Sequence, residues 1–213
     1  MLLMAIISNV SAQIKIVKSQ KQKIMTAEQI KKSIEGKWNS ITPEVRPSIA
    51  KNTDGSAKSF YLTRTFTYLA NDKFQLDIIN SADAYGKVPL VKIVIKGHIV
   101  WQGDHPIAAG AQKVNFIADE EYEVTPLIQG FADAMNQAAN KGFSKWEVNS
   151  IQSILGKVFP PFGLAEGEIF AEYDLIYLFN DMLFWGARNV DGRGFDKEEN
   201  RPTNLQIPLT RIK

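Results

Sequence analysis

Alternation of apolar and polar residues is the dominant pattern of this chain and predicts a mainly β protein. Over residues 60–68, one side of the pattern is apolar except for Arg64, and the other side carries Tyr61 and three threonines. This two-residue period is typical of a half-buried strand. Short turns separate the predicted strands and favour antiparallel pairing in a meander. Further strands are predicted at residues 74–79, 91–101, 113–124, 167–179, 182–186 and 205–209.

Two segments carry helix signals instead. The first begins after Thr26, which forms a capping-box pattern with Gln29, and it ends at Gly36. The second is predicted to begin at residues 125–126, a Thr-Pro pair typical of a helix start, and to end at Gly142. Both helices repeat apolar residues at helical spacing, so each is expected to bury one face.

The number and length of the strands predict one closed architecture. We count about eight to ten short strands with one or two helices, and a twisted antiparallel sheet of this size tends to close because closure removes exposed edges. A barrel of about eight strands can enclose one small ligand. The charged, glycine-bearing segment 187–200 predicts a solvated loop between the last strands.

A short motif at the first predicted strand resembles the first signature of lipocalins. Gly36-Lys37-Trp38 follows the first helix directly. In lipocalins, such a tryptophan closes the base of the barrel and a basic residue near the last strand packs on its ring. Arg211 is the natural candidate for that partner. Gly36, Trp38 and Arg211 are therefore predicted to form a structural signature, and a simple core tryptophan would occupy the same place.

Arg64 is the clearest candidate for chemistry because it lies on the apolar side of its strand. A cation that faces a barrel interior needs a partner, and Glu44 is the obvious choice, with Arg46 as a second cation. The arginines could bind an anionic head group such as a fatty-acid carboxylate. Alternatively, the three residues form a structural ion pair that fixes the N-terminal loop to the sheet.

Aromatic residues on the same strand faces complete the predicted ligand-binding surface, since apolar faces would supply most of the affinity. The candidate ligand-binding residues are Arg46, Arg64, Glu44, Phe66, Tyr68, Trp101 and Tyr122.

Composition removes several other classes of function. The 213 residues suit one domain, and a 45% apolar share is enough to build a core. The absence of cysteine excludes disulfides, thiolate metal sites and a cysteine nucleophile, and two histidines leave little room for a metal site. No cofactor is predicted. A formal net charge of +2 does not indicate a nucleic-acid partner, particularly as four lysines and no acid precede Glu28.

The first residues predict export. An apolar run at residues 2–7 is followed by Val10-Ser11-Ala12, whose small residues fit a signal-peptidase site before Gln13. We therefore expect a signal peptide at residues 1–12, a barrel domain at 13–213, and a periplasmic or secreted protein. A first buried strand is the alternative. No other segment has the apolar length of a transmembrane helix.

Several of these motifs, taken in order, resemble the domain of the adenomatosis polyposis coli down-regulated protein family. The resemblance covers about residues 34 to 212. Its animal members are extracellular Wnt-pathway antagonists with paired lipocalin-like barrels and affinity for lipid, so the resemblance implies a lipocalin-like barrel and a hydrophobic ligand. The matching elements are Trp38, Glu44-Val45-Arg46-Pro47, the strand from Phe60 to Tyr68, Ile95 to Ile99, Ala109-Gly110-Ala111, Val124 to Leu127 and Arg201 to Leu209.

The departures from that family point to a bacterial relative. Pro43 stands where the animal domains have a cysteine before the Glu-Val-Arg-Pro run, and every other cysteine is also missing. We expect one copy of the domain and no membrane anchor, so the animal signalling role is not transferred.

Three functions remain open at this stage. The leading hypothesis is an exported protein that binds a fatty acid, lipid or other apolar molecule without covalent chemistry. The alternatives are a protein-interaction module whose barrel is filled by side chains, and a small barrel enzyme using Glu120, Tyr122 and His105 as acid–base groups. The volume inside the barrel distinguishes the first from the second, because 12 Phe, 6 Tyr and 4 Trp could line a cavity or fill it.

Overall fold

A computed structural model of the chain describes residues 24–189 and 193–212. The predicted signal peptide therefore lies outside the described residues. The two helices are α1 (Ala27–Ile34) and α2 (Gln129–Ala138). The strands are β1 (Gly36–Ser40), β2 (Glu44–Lys51), β3 (Ala57–Tyr68), β4 (Lys73–Ser81), β5 (Pro89–Asp104), β6 (Gln112–Pro126), β7 (Gln152–Ser153), β8 (Ala171–Phe179), β9 (Met182–Trp185) and β10 (Leu209–Arg211).

The strands form one antiparallel sheet that closes into a barrel, as the sequence predicted. The order is β1-β10-β9-β8-β6-β5-β4-β3-β2, and a further pairing of β1 with β3 closes the ring. Strand β3 is long enough to serve two neighbours: its last residues pair with β1 and its first residues pair with β2. Tyr68 is opposite Gly36 and Leu62 is opposite Glu44. These two points on β3 are about 20 Å apart, so β3 connects both ends of the barrel.

Two hairpins carry the turn residues that their geometry requires. Asn71 and Asp72 join β3 to β4 with φ of 60° and 57°, and Asn180 and Asp181 join β8 to β9 with φ of 49° and 55°. Asn and Asp tolerate the left-handed region better than most residues, and two successive positive φ values match the twist of the flanking strands. Both lie where the sequence predicted short turns between successive strands.

A bulge bends the longest hairpin, between β5 and β6. The pairing register shifts between Lys96 and His98, at Gly97. A Cβ atom added at Gly97 would lie 1.8 Å from the carbonyl oxygen of Ile117, so no other residue fits without moving the backbone. The two strands therefore bend at this glycine.

The first helix agrees with the prediction and the second begins later. Thr26 caps α1, and its side chain and that of Gln29 form the reciprocal capping box. Thr125 and Pro126, predicted to start the second helix, instead end β6, where Pro126 pairs with Val91. The helix begins at Gln129, without a side-chain cap, and the predicted end at Gly142 is also wrong because the helix stops at Ala138. Continued pairing with β5 outweighs the local Thr-Pro signal.

One hydrophobic core fills the barrel and continues under the helices. Ile30 and Ile34 of α1 are buried beside Trp38 at one end, which we call the base. Ala132 and Met135 of α2 are buried in the same core. Among the described residues, no helix is long and apolar enough to cross a membrane.

Candidate functional site

The base of the barrel is closed by Trp38 and Arg211. Trp38 is fully buried, and its indole nitrogen donates a hydrogen bond to the carbonyl oxygen of Ile34 at 2.7 Å. The Arg211 guanidinium lies 4.2 Å from the Trp38 ring centre, which is the pairing expected from the lipocalin signature. Arg211 also donates to the carbonyl oxygens of Glu35 and Ser33. Gly36 lies against Arg211, with a φ of 110° that favours glycine.

Aromatic side chains fill the barrel above this base. The ring of Phe66 packs against Tyr68, Phe74, Phe116 and Trp185 at centroid distances of 4.4, 5.2, 5.1 and 4.6 Å. The void beside these rings has a volume of about 10 Å³, close to the space that one water molecule needs. The deep interior is therefore packed, and Phe66 and Tyr68 contribute to that packing.

A charged network lies at the opposite end of the barrel, where the first residue of β2 pairs with β3. The Arg64 guanidinium donates to both carboxylate oxygens of Glu44, from Nε at 2.9 Å and from Nη2 at 2.8 Å. Arg46 donates to the same carboxylate at 2.6 Å. Burial alone would raise the pKa of Glu44, but the two arginines outweigh it and hold that pKa below its ordinary value. Glu44 is therefore ionised and shared between two cations.

Arg64 is also held in place by an aromatic ring that packs against its guanidinium. Its guanidinium lies 4.2 Å from the ring centre of Trp185, and the Trp185 indole nitrogen donates to the Tyr68 hydroxyl at 2.9 Å. With two hydrogen bonds to Glu44 and a ring beneath it, Arg64 is held as part of the wall. This arrangement matches the structural ion pair that the sequence left open.

A cavity of about 140 Å³ opens beside this network, and we call it the mouth cavity. Its charged side chains are Arg46, Arg64, Arg188 and Glu172, and the rest of its wall is largely apolar. Burial lowers the pKa of Arg46; Glu44 opposes that change, while Arg64 and Arg188 add to it because they bring like charge close. The apolar wall consists of Leu62, Leu76, Ile78, Ile95, Tyr122, Phe170 and Phe195.

Two acids of β8 point to the floor of this cavity. Glu172 lines both the mouth cavity and the small void beneath it, and Asp174 lines the void. Asp174 is only 3% exposed. Its Oδ1 accepts hydrogen bonds from the backbone of Leu175 at 2.8 Å and Gly186 at 2.9 Å. Burial, reinforced by Glu172, raises the pKa of Asp174 to about 7.

The structure brings some of the predicted ligand-binding residues together and separates others. Arg46, Arg64 and Tyr122 line the mouth cavity, with Glu44 directly behind the arginines. Trp101 lies elsewhere: its indole nitrogen donates to Asp72 at 2.9 Å, and Lys31 of α1 lies 5.3 Å from its ring centre. Trp101 therefore lies away from the mouth cavity, in a separate open cavity of about 330 Å³ beside α1.

Three residues at the mouth cavity and the void beneath it were missed by the sequence analysis. Glu172 and Asp174 continue the inward side of β8, and two acids in an apolar alternation are a signal of the same kind as Arg64. Arg188 lies in the segment predicted to be a solvated loop and carried no signal. That prediction is wrong for part of the loop, because Phe195 and Asn200 are buried.

The predicted acid–base residues of an enzyme do not meet. Glu120 forms an ion pair with Lys73 on the surface, whereas Tyr122 is buried beside the mouth cavity. His105 follows β5, and its Nδ1 accepts a hydrogen bond from the backbone N–H of Ile107 at 3.1 Å. Across the part of the chain that the structure describes, no three His, Asp or Glu residues are grouped so that they could hold a metal ion.

Comparisons with known proteins add no assignment to this geometry. No family model matches the chain, and a search of the curated proteins found no match.

Proposed function

We propose that this protein binds a small molecule with an apolar body and an anionic group in the mouth cavity. The observation that carries the proposal is the meeting of three arginines, Arg46, Arg64 and Arg188, with an apolar wall around one cavity. An apolar wall with a few convergent polar groups is the usual form of a small-molecule site. The predicted signal sequence is the ground for proposing an exported protein, and the family resemblance supports a ligand with an apolar part.

The size of the cavity limits the ligand. About 140 Å³ is below the roughly 300–1,000 Å³ of sites for drug-sized molecules. The aromatic rings around Phe66 leave no continuation of this space toward the base. A long-chain fatty acid or lipid would therefore have to keep its chain outside the barrel, and a short acid is the better fit.

The balance of charge favours an anion. Glu44 is the acid that pairs with Arg64 and Arg46, and Arg188 has no acidic partner among the described residues. An incoming carboxylate can accept from Arg46 and Arg188 without displacing the bidentate Arg64–Glu44 pair. Hydrogen bonds to charged groups contribute about 1.5–3 kcal/mol each, which is enough to select an acid over its neutral analogue.

The test is titration calorimetry with hexanoate and hexan-1-ol. We expect hexanoate to bind at least about tenfold more tightly than the alcohol, and Arg188→Gln to reduce hexanoate affinity about tenfold with little effect on the alcohol. Lys73→Gln, which removes a surface cation paired with Glu120, is the matched control. It should change neither the affinity for hexanoate nor that for hexan-1-ol. Equal affinity for the two probes, or no binding of either, would contradict the proposal.

A protein-interaction module is the second candidate, favoured by the aromatic filling of the deep interior. A groove of about 240 Å³ lies between residues 40–46 and 206–209. Ile41, Val45 and Ile207 at this groove are more than half exposed. A protein ligand at the groove would be lost in Val45→Asp while hexanoate binding stays unchanged, and cross-linking from position 45 would identify the contact.

A further inference from the structure

Two acidic side chains at the floor of the mouth cavity have no basic partner. Within residues 24–189 and 193–212, no basic nitrogen lies within 4 Å of a carboxylate oxygen of Glu172 or Asp174. Both residues lie on the inward side of β8, separated by one residue. The mouth cavity and the void beneath it share Glu172 as a lining residue. Glu172 is therefore reached from the same opening as the arginines, and Asp174 lies in the void directly beneath it.

Asp174 is the more unusual of the two because it is almost entirely buried. One carboxylate oxygen accepts from two backbone amides, and the other accepts no hydrogen bond from the described residues. The side chain lines the void between Phe66, Phe116 and Trp185. A buried carboxylate with an unused oxygen is costly unless a donor or cation reaches it. An ammonium group would supply both the charge and the hydrogen bonds.

The arginines that line the same cavity supply the complementary positive charge. Arg188 rests on the ring of Phe195 at 5.0 Å and has no acidic partner among the described residues. Arg46 shares the carboxylate of Glu44 with Arg64. No ion pair within 4 Å joins either Arg46 or Arg188 to Glu172 across the described cavity. The mouth cavity thus has one arginine, Arg188, without an acidic partner among the described residues, and two acids at its floor, Glu172 and Asp174, without a basic one.

We propose that the mouth cavity takes a zwitterion: an amino acid with a small apolar side chain, its ammonium group between Glu172 and Asp174 and its carboxylate on Arg46 and Arg188. This inference rests on the proposed function and adds the class of ligand. The amino acid bridges the arginines and the acids of the cavity, which form no direct ion pair with each other among the described residues. Its side chain packs against Leu62 and Ile78.

The charges also explain why an ordinary acid is the poorer ligand. A simple carboxylic acid places a methylene group where the amino acid has its ammonium group, so Glu172 and Asp174 stay unpaired and repel the bound carboxylate. A simple amine leaves the arginines unpaired in the same way. A site with buried polar groups rejects the analogue that cannot pair them, so both single-charge analogues should bind more weakly than the zwitterion.

The test uses three probes that differ only in charged groups: L-leucine, 4-methylpentanoate, which lacks the ammonium group, and 3-methylbutan-1-amine, which lacks the carboxylate. Titration calorimetry at pH 7.5 with the full chain should show L-leucine binding at least about tenfold more tightly than 4-methylpentanoate. The amine should bind the weakest, because it meets the arginines without a counter-charge.

The variant Glu172→Gln separates a binding role from a structural one. The variant should lower the affinity for L-leucine about tenfold, because it removes an attraction to the ammonium group. It should at the same time raise the affinity for 4-methylpentanoate, because it removes a repulsion of the carboxylate. Arg188→Gln should weaken both probes. Glu120→Gln, a surface acid paired with Lys73, is the control. A structural defect would move both probes in the same direction.

The outcomes distinguish this inference from the proposed function. If 4-methylpentanoate binds as tightly as L-leucine, or Glu172→Gln weakens both, the zwitterion is wrong while the acid-binding site stands. If neither probe binds and hexanoate does not bind either, both the proposed function and the zwitterion inference are wrong. Opposite shifts of the two probes in Glu172→Gln support the inference.

Discussion

The barrel contains two Arg–Trp pairs with the same stacking distance and different surroundings. At the base, Arg211 lies 4.2 Å from the ring centre of Trp38, and at the mouth Arg64 lies 4.2 Å from that of Trp185. The base arginine donates mainly to backbone carbonyl oxygens, which belong to the scaffold and carry no titratable charge. The mouth arginine binds the carboxylate of Glu44, which a second arginine shares. The same contact closes one end and assembles a charged site at the other.

This difference predicts that pH acts on the mouth and leaves the base unchanged. Asp174 has a pKa of about 7 in the folded protein, against about 3.9 for an ordinary aspartate. Between these pH values, the folded protein holds a proton that the unfolded chain has released. The free energy of unfolding therefore falls as pH rises from about 4 to about 7, by on the order of 4 kcal/mol from this group.

The measurement for Asp174 is urea unfolding of the wild type and Asp174→Asn at pH 4, 5.5, 7 and 8. The amide keeps an oxygen that accepts from Leu175 and Gly186 but has no charge to bury. The stability advantage of the wild type over the variant should shrink with rising pH and level off above pH 8. Parallel pH profiles would contradict the expectation.

The second prediction compares the acids that pair with the two arginines. Glu44→Ala leaves Arg46 and Arg64 without a counter-charge, and the Glu44 side chain is only 14% exposed. Removing one partner of a buried pair is strongly destabilising, so we expect a loss of about 3 kcal/mol. Asp181 pairs with Arg211 but is 64% exposed, and Asp181→Ala should cost less than about 1 kcal/mol.

Chemical denaturation of both acid variants, at 50 mM and 500 mM salt, tests this difference. Salt should reduce the small effect of Asp181→Ala and leave most of the effect of Glu44→Ala, since buried pairs are screened less. Similar losses for the two variants would show that the two ends are alike in their dependence on charge.

The third and smallest prediction concerns Arg211 itself. Arg211→Lys keeps the charge but loses the flat guanidinium on Trp38 and part of the hydrogen bonding to Glu35 and Ser33. We expect a loss of about 1–2 kcal/mol in the free energy of unfolding. Hexanoate affinity should stay unchanged, because the aromatic layer around Phe66 separates the base from the mouth.

Calorimetry on the folded Arg211→Lys variant checks that separation. Arg64→Lys is the matched change at the mouth, and it should lower both stability and hexanoate affinity because it loosens the Glu44 carboxylate that positions Arg46. If Arg211→Lys weakens hexanoate binding as much as Arg64→Lys does, the two ends are coupled through the core.

Local chemistry explains which parts of the fold were predictable. The capping box at Thr26, the paired turn residues Asn180 and Asp181 and the glycine at position 97 each express a backbone requirement in a few adjacent residues. The start of α2 was mispredicted because Pro126 is held in β6 by its pairing with Val91. That pairing joins residues far apart in sequence, so no local signal reports it.

The candidate site shows the same limit. Arg64 on an apolar strand face implied a buried cation, and Glu44 was identified as its partner because a buried charge must be paired. Arg188 could not be found in this way, because it comes from a segment without periodicity that reaches the cavity only when Phe195 and Asn200 are buried. Glu172 and Asp174 carried a readable signal in their alternation.

The sequence by itself determined the strand periodicity, the closing tryptophan with its arginine and the need for Arg64 to find an acid, since each follows from residue type and spacing. The tertiary structure decided how much space the barrel leaves. The aromatic residues could line a cavity or fill it, and only the closure of the sheet brings Phe66, Phe74, Phe116 and Trp185 into contact. Volume depends on packing across the whole ring, which no single segment of the chain encodes.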